Sequence, residues 1–385
     1  MSKTAGSEIH SPVDPVYATA GRSETFAYTA ENRDSDLLFW LGERFADMYG
    51  PLRLLTSYLF LAVVGTALAG FFTWRLLPRL WMRLPKDRGR KYAVENEQSH
   101  GKPVGAGIIF IPIYVAVCIL VLPPGSQYWQ ILGCVLLAMV AGFLDDRSPG
   151  GWGEYRVGAI DLGISLLGAM VICQLEPVQL WLPLMKTPVS VPPWIFVPGA
   201  ALLIWVSINA TNCTDGVDGL SGSLSVMAFV YLATILYGIV GHRDIARYLL
   251  VPHYPDGAVW ALFAFIMAGC LAGYLWYNAY PSSVLMGDAG SRPMGFLLGV
   301  LVLACGNPFL IVVVAGVVLV NGATGLLKVA FLRFLNIGIF RTVRYPLHDH
   351  VRHKNGWSNT HVLVRFILLQ AFVTPILLVL LVKIR

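Results

Sequence analysis

Charged residues are scarce in this sequence. Only 13% of its 385 residues are Asp, Glu, Lys or Arg, whereas 56% are hydrophobic, and the mean hydropathy is +0.65. Soluble domains carry about 25% charged residues, so this composition excludes an ordinary soluble protein. It predicts a chain whose surface faces a lipid bilayer.

Paired cysteines are missing as well. The six cysteines all lie in or at the ends of apolar runs and show no metal-ligand spacing. This pattern favours neither a disulfide framework nor a zinc site. The net charge of +6 would suggest a nucleic-acid partner for a soluble protein. In so apolar a chain it reports membrane orientation instead, and we expect no nucleic-acid partner.

Long apolar runs are the main feature of the sequence. A helix that spans a membrane requires about 20 apolar residues. We predict an all-α integral membrane protein in which residues 36–385 form a single polytopic domain. Residues 1–35 are polar and are predicted to be a disordered tail. Residues 36–49 are typical of an interfacial helix or, equally, of a helix at the bundle edge. The expected spans number about ten, near residues 54–74, 104–122, 129–145, 159–176, 192–210, 222–241, 257–277, 291–305, 308–331 and 362–383.

Basic residues predict the orientation of these spans. The segment between the first two spans is rich in Arg and Lys, whereas the next loop, 123–128, has no charge. The positive-inside rule therefore places the first segment in the cytoplasm and both chain ends outside, in the periplasm. Alternation puts four further segments on the same cytoplasmic face, at residues 146–158, 211–221, 278–291 and 332–361.

Two adjacent carboxylates, Asp145 and Asp146, end the third span. Such groups repel each other at a membrane helix end unless they are solvated, paired or bound to a cation. A divalent cation would relieve the repulsion. A solvated helix end beside Arg147 is the simpler alternative.

Amides and carboxylates recur at every third residue after the fifth span, at Asn209, Asn212, Asp215 and Asp218. A helix that extended through all four would bring them close to one face. Such a set suits a polar ligand with hydroxyl or imide groups beside a hard cation. Helix capping alone would account for one or two of these residues.

A third polar segment contains Asn278 and then Met286-Gly287-Asp288-Ala289-Gly290-Ser291, at the entrance of the eighth span. Glycines let backbone N–H groups approach a phosphate, and a helix N-terminus favours anions. Asp288 would then share a metal with Asp145 or Asp146. By itself, the segment is also typical of a simple turn.

The histidine loop, residues 345–354, contains His348, His350 and His353 among basic residues. Arginine and lysine favour an anion over zinc, so pyrophosphate binding is predicted here, with a plain solvated basic loop as the alternative. Lys102 lies in a glycine-containing loop before the second span, where it would supply positive charge to a phosphate.

Taken in order, these segments resemble the polyprenyl-phosphate N-acetylhexosamine-1-phosphate transferase superfamily, and within it the phospho-N-acetylmuramoyl-pentapeptide transferases of bacterial wall synthesis. The resemblance extends from about residue 36 to the C-terminus. It is carried by Asp145-Asp146, Asn209 to Leu220, Met286-Gly287-Asp288 with Gly290-Ser291, and Pro346-Leu347-His348-Asp349-His350 followed by Gly356-Trp357 and Arg365-Phe366.

The resemblance implies a ten-span enzyme of the bacterial cytoplasmic membrane that requires Mg²⁺. Its donor would be UDP-MurNAc-pentapeptide, its acceptor the membrane lipid undecaprenyl phosphate, and its products lipid I and UMP. An apolar outer surface is compatible with a homodimer.

Roles for individual residues follow from the same resemblance. Asp288 would bind the metal. Our mechanistic hypothesis is that Asp145 assists deprotonation of the acceptor and Asp146 supports the metal network, with a two-step route through an aspartyl-phosphate as the alternative. His348 and His350 would complete the catalytic set. Substrate contacts would fall on Asn209, Asn212, Asp215, Asp218, Asn278, Gly287 and Ser291. Lys102 joins this set from its loop alone, because residues 102–107 depart from the family's pattern.

Some positions depart from this pattern. His348-Asp349-His350 stands where three histidines are usual, and Leu285 stands where an aromatic residue often precedes Met-Gly-Asp. The Gly-Trp and Arg-Phe pairs after the histidine loop favour this branch over sister enzymes that use UDP-GlcNAc. An ion-coupled transporter is the remote alternative, because intramembrane acids also occur there.

Overall fold

The computed structural model describes residues 37–45, 47–87, 89 and 100–383, and the predicted disordered tail lies outside them. The helices are α1 (Leu37–Phe45), α2 (Tyr58–Leu80), α3 (Gly107–Val121), α4 (Ser126–Arg147), α5 (Glu154–Cys173), α6 (Pro193–Thr214), α7 (Leu220–Thr234), α8 (Arg243–Leu249), α9 (Gly257–Asn278), α10 (Asp288–Ala304), α11 (Leu310–Val318), α12 (Thr324–Leu335), α13 (Leu347–Asn355) and α14 (Asn359–Lys383).

Short irregular elements complete the described chain. Gly50–Thr56 and Trp81–Arg83 form 3₁₀ turns on either side of α2. A π-helical segment, Ile235–Val240, extends α7, and another, Leu319–Ala323, joins α11 to α12. Strands β1 (Val178–Leu180) and β2 (Val189–Val191) form an antiparallel hairpin in which Val178 pairs with Val191.

Eight helical stretches are long and apolar enough to cross a membrane: Tyr58–Arg83, Ser126–Arg147, Glu154–Cys173, Pro193–Thr214, Leu220–Val240, Gly257–Asn278, Leu310–Leu335 and Asn359–Lys383. Helices satisfy their own backbone hydrogen bonds, which lipid requires. The predicted class, an all-α multi-pass membrane protein, is thereby confirmed. The two other expected spans are also helices, but α3 has only 15 residues and α10 only 17.

Helices α9 and α10 form the centre of the bundle. Helix α9 packs against α2 and α7, whereas α10 packs against α6 and α4. Almost every side chain of α10 is buried, which explains how a helix that begins with a carboxylate and contains an arginine fits among apolar spans. Its polar groups meet protein partners rather than lipid.

The polar segments all meet at one end of the bundle. Val104 forms a parallel bridge with Leu285, Asp146 bonds the first residues of α10, and Asp218 bonds Ser282. His348 packs on Gly216, and Arg333 approaches Glu154.

The β1–β2 hairpin lies at the opposite end of the bundle, where Tyr254 donates a hydrogen bond to the carbonyl of Gln179.

Candidate active site

Asp146 joins the last turn of α4 to the first turn of α10. Its Oδ1 accepts a hydrogen bond from the backbone N–H of Asp288, and its Oδ2 accepts one from that of Ala289, each at 3.0 Å. These N–H groups have no partner within their own helix, and the positive end of the helix dipole favours a carboxylate there. Asp146 therefore fixes the position of Asp288.

Two glycines permit this close approach. A Cβ on Gly142 would lie 2.2 Å from the carbonyl oxygen of Asp288, so the two helices touch through the bare backbone. Gly287 has a φ of +70°, and its Cβ would lie 2.5 Å from Asp146 Oδ2. Only glycine fits both the conformation and the space at position 287.

A buried arginine connects the other two acids of this group. Arg292 Nη2 donates hydrogen bonds to Asp145 Oδ2 at 2.5 Å and to Asp288 Oδ2. Its Nη1 lies 3.6 Å from Asp161 Oδ1 in α5. The side chains of Arg292 and Asp161 are only 1% and 3% exposed, against 10% for Asp145 and 19% for Asp288. The arginine thus lies beneath the two more accessible carboxylates.

Neither Arg292 nor Asp161 was predicted from the sequence. Both are charged residues inside apolar runs, and an ionisable residue in a span is by default a candidate for function. That signal was available, because Asp161 and Arg292 have opposite charges and lie in two expected spans. The polar clusters at the span ends give a stronger local signal, because several polar residues lie close together there, and the predicted site residues were taken from them.

The segment from Asn209 to Asp218 is only partly helical. Helix α6 ends at Thr214, and Asp215 follows it with φ −79° and ψ 60°. The predicted single face therefore holds for Asn209 and Asn212 alone, whereas Asp215 and Asp218 lie in a loop. Asn209 donates a hydrogen bond to the carbonyl of Trp205, one turn earlier.

Lys102 and Asp218 meet at a serine. Ser282 donates hydrogen bonds to Asp218 through both its backbone N–H, at 3.0 Å, and its hydroxyl, at 2.8 Å. Lys102 Nζ donates to the same hydroxyl at 3.0 Å and lies 3.6 Å from Asp218 Oδ2. The structure thus brings together three predicted segments, and Ser282 is a further residue that the sequence did not reveal.

Two predicted substrate contacts are directed into the protein. Asn278 is buried, and its amide accepts from the N–H of Gly219 and donates to the carbonyl of Val284. Ser291 is also fully buried and donates to the carbonyl of Gly287. In this geometry, Asn278 braces two loops and Ser291 stabilises the first turn of α10.

The two predicted histidines differ in their surroundings. His348 is 1% exposed, its backbone N–H donates to Asn321 Oδ1 at 2.9 Å, and its ring Nδ1 lies 3.1 Å from Asn321 Nδ2. A Cβ on Gly216 would lie 2.4 Å from His348 Nε2, so the ring packs directly on the loop after α6. His350 is partly exposed and accepts a hydrogen bond from the N–H of Arg344.

Residues 128–306 match the family model for glycosyl transferase family 4. Two phospho-N-acetylmuramoyl-pentapeptide-transferases, from two strains of Treponema pallidum, are each 48% identical to this chain over 340 residues, covering 88% of it and 94% of the relative. The chain belongs to the phospho-N-acetylmuramoyl-pentapeptide-transferase family. A member from Methylacidiphilum infernorum is 29% identical, over 82% of this chain and 91% of its own. The resemblance drawn from the ordered motifs is confirmed.

Two carboxylates, Asp145 and Asp288, are placed to hold the Mg²⁺ that the sequence predicts. Within the described residues, no three His, Cys, Asp or Glu side chains are grouped so as to hold a metal ion by themselves. Both oxygens of Asp146 already bond backbone N–H groups, but Asp145 and Asp288 converge on one nitrogen of Arg292. Magnesium is commonly bound by one or two carboxylates together with substrate phosphates. Asp145 and Asp288 fit that requirement.

Proposed function

We propose that this membrane protein transfers phospho-MurNAc-pentapeptide from UDP-MurNAc-pentapeptide to undecaprenyl phosphate, giving lipid I and UMP. An oxygen of the acceptor phosphate attacks the phosphorus next to the sugar, and the bond to the UMP oxygen breaks. The single observation that best supports this reaction is the convergence of Asp145, Asp146 and Asp288 at the end of the bundle where the polar loops meet.

Magnesium held by Asp288 and Asp145 would neutralise charge on the donor pyrophosphate and so reduce its repulsion of the acceptor phosphate. Asp146 keeps Asp288 in place through the backbone of α10. A phosphate monoester with a second pKa of about 6 is already largely ionised near neutral pH. The position of Asp145 beside Asp288 therefore favours metal binding over the deprotonation expected from the sequence.

The remaining polar side chains would bind the donor. Lys102 lies at the edge of the same face and would contact a phosphate oxygen once it leaves Ser282. The partly exposed side chains of Asn209, Asn212 and Asp215 offer amide and carboxylate groups to the uridine and the sugar. His350 and the basic residues around it would bind the pyrophosphate, while His348 would hold that loop against Gly216.

The reaction determines where the site must lie, because one substrate is a membrane lipid and the other is water-soluble. We propose that the polar end of the bundle faces the cytoplasm, that α3 and α10 complete a set of ten spans, and that the membrane is the bacterial cytoplasmic membrane. Helix α10 is enclosed by protein, so its 17 residues suffice without exposing backbone to lipid. A homodimer through the apolar outer surface is part of the same proposal.

The test is release of UMP by the detergent-purified full chain supplied with undecaprenyl phosphate, Mg²⁺ and either UDP-MurNAc-pentapeptide or UDP-GlcNAc. UMP should form from the pentapeptide donor alone and should be lost on chelation and in Asp288→Asn. Asp244→Asn, the same change at an exposed position of α8 at the opposite end, is the matched control. UMP from UDP-GlcNAc would assign the chain to the sister activity, and no UMP from either donor would refute the proposed reaction.

A further inference from the structure

Arg292 occupies the point at which the two carboxylates of the proposed metal site converge. One nitrogen, Nη2, bonds both Asp145 and Asp288. A divalent cation held by Asp145 and Asp288 would compete with this nitrogen for the same two carboxylates. The protein thus places its own positive charge on the carboxylates that would hold a metal, and two cations on the same carboxylates repel each other.

Asp161 lies on the other side of the guanidinium and offers it a second partner. Arg292 Nη1 is 3.6 Å from Asp161 Oδ1, too far for a hydrogen bond, and within the described chain neither Nη1 nor Nε of Arg292 has a hydrogen-bond partner. The guanidinium therefore retains two unused donors, of which Nη1 lies near Asp161. A buried cation without a counter-ion is costly in a membrane protein, and Asp161 removes that cost if Nη2 gives up its present partners.

We propose that Arg292 is a built-in competitor of the divalent cation, and that Asp161 draws its guanidinium away from Asp145 and Asp288 when a metal binds. The pair thereby sets the metal affinity of the site. This inference rests on the proposed function, because it takes Asp145 and Asp288 as the metal-binding carboxylates. Arg292 and Asp161 are positioning residues, since both lie beneath the carboxylates that the substrates would approach.

The two residues should affect metal binding in opposite directions. Without the positive charge, as in Arg292→Met, Asp145 and Asp288 lose their competitor and should bind a cation more tightly. Without the second partner, as in Asp161→Asn, Arg292 depends wholly on Asp145 and Asp288, and a cation should bind more weakly. If the pair were merely structural, loss of either partner would weaken the site in the same direction.

The experiment titrates the purified full chain with Mn²⁺ in the absence of substrates and measures free Mn²⁺ by electron paramagnetic resonance. We expect the Kd to fall by roughly fivefold or more in Arg292→Met and to rise by a similar factor in Asp161→Asn, the lower range of coupling between linked sites. In the double variant Asp161→Asn/Arg292→Met the Kd should stay close to that of Arg292→Met, because Asp161 acts through the arginine. Arg292→Lys should keep a Kd close to that of the unaltered chain.

The double variant also guards against misfolding, because removal of both partners leaves no unpaired buried charge of the pair. Asp244→Asn controls for the effect of one fewer acid. Shifts of Arg292→Met and Asp161→Asn in the same direction, or no shift in either, would overturn this inference while leaving the metal site intact, provided that Asp288→Asn abolishes binding. Absence of Mn²⁺ binding from the unaltered chain and from Arg292→Met alike would overturn this inference, whereas UMP release with and without a chelator decides the proposed metal requirement separately.

Discussion

Asp146 and Asp288 are joined through backbone rather than through their side chains. The carboxylate of Asp146 accepts hydrogen bonds at 3.0 Å from the N–H groups of Asp288 and Ala289, while the Asp288 side chain turns towards Arg292. One acid of the paired Asp145-Asp146 motif therefore serves as the anchor of a second helix. Its neighbour Asp145, which bonds the N–H of Trp152 and the guanidinium of Arg292, remains beside Asp288.

Asp146→Asn should disable the enzyme by displacing Asp288. An asparagine can accept at only one of the two positions, so its NH₂ group would face a backbone N–H. A buried donor left without a partner costs about 1–3 kcal/mol, and a displacement of about 1 Å at a reacting group lowers turnover by about 100-fold. UMP release and thermal unfolding in detergent measure the two effects. Turnover within about twofold of the unaltered chain, a change of about 0.4 kcal/mol in the barrier, would contradict the anchoring role.

Gly287→Ala should be equally damaging, for steric reasons. The residue has a φ of +70°, and a Cβ there would lie 2.5 Å from Asp146 Oδ2 and 2.7 Å from the backbone nitrogen of Gly105. Strain of this kind costs about 1–3 kcal/mol, and we expect a loss of UMP release of about 100-fold because the start of α10 must shift. Gly133→Ala on α4, where a Cβ meets nothing within 4 Å, is the matched control. Equal activity of the two variants would contradict the prediction that activity depends on the position of the start of α10.

The helical spans and the acids at their ends could be predicted because their signals are local. A long apolar run indicates a span, and Asp145, Asp146 and Asp288 stand next to glycines or other acids at span ends. The partnership of Arg292 with Asp161 has no local signal, since α5 and α10 are brought together only by packing of the bundle.

The sequence also does not predict the direction in which a polar side chain points. An asparagine at a loop suits either a ligand or the backbone, and only the fold turns Asn278 towards Gly219 and Val284. The end of α6 at Thr214 has a similar origin. The three-residue spacing from Asn209 to Asp218 is compatible with a helix, but the chain leaves the helix at Asp215, and Gly219 then adopts a φ of +77°.

Lys102→Met should weaken donor binding without destabilising the fold. The side chains of Lys102 and Asp218 are 22% and 14% exposed and lie 3.6 Å apart, a partly solvated pair. Asp218 keeps both of its hydrogen bonds from Ser282 when Lys102 is lost, so this contact between segments remains. Loss of a charged hydrogen bond to phosphate, in contrast, costs about 1.5–3 kcal/mol. We therefore expect the KM for the UDP-linked donor to rise by about tenfold or more, with little change in Tm. Lys186→Met, at an exposed position between β1 and β2, should change neither quantity. An unchanged KM in Lys102→Met would remove this residue from the donor site.

His348→Ala should lower the stability of the protein, whereas His350→Ala should lower its activity. His348 is 1% exposed and bonds Asn321, whose Nδ2 also donates to Thr214 Oγ1, so His348→Ala leaves part of a buried network without partners. We expect a loss of about 1–3 kcal/mol in the free energy of unfolding.

His350 is partly exposed, so His350→Ala should alter stability by no more than about 0.5 kcal/mol. If His350 binds the pyrophosphate, UMP release should nevertheless fall by about tenfold, the effect of losing one charged contact of about 1.4 kcal/mol. Unfolding and UMP release measured on both variants decide the matter: an unchanged Tm in His348→Ala would refute its bracing role, and full turnover in His350→Ala would refute its place in the site.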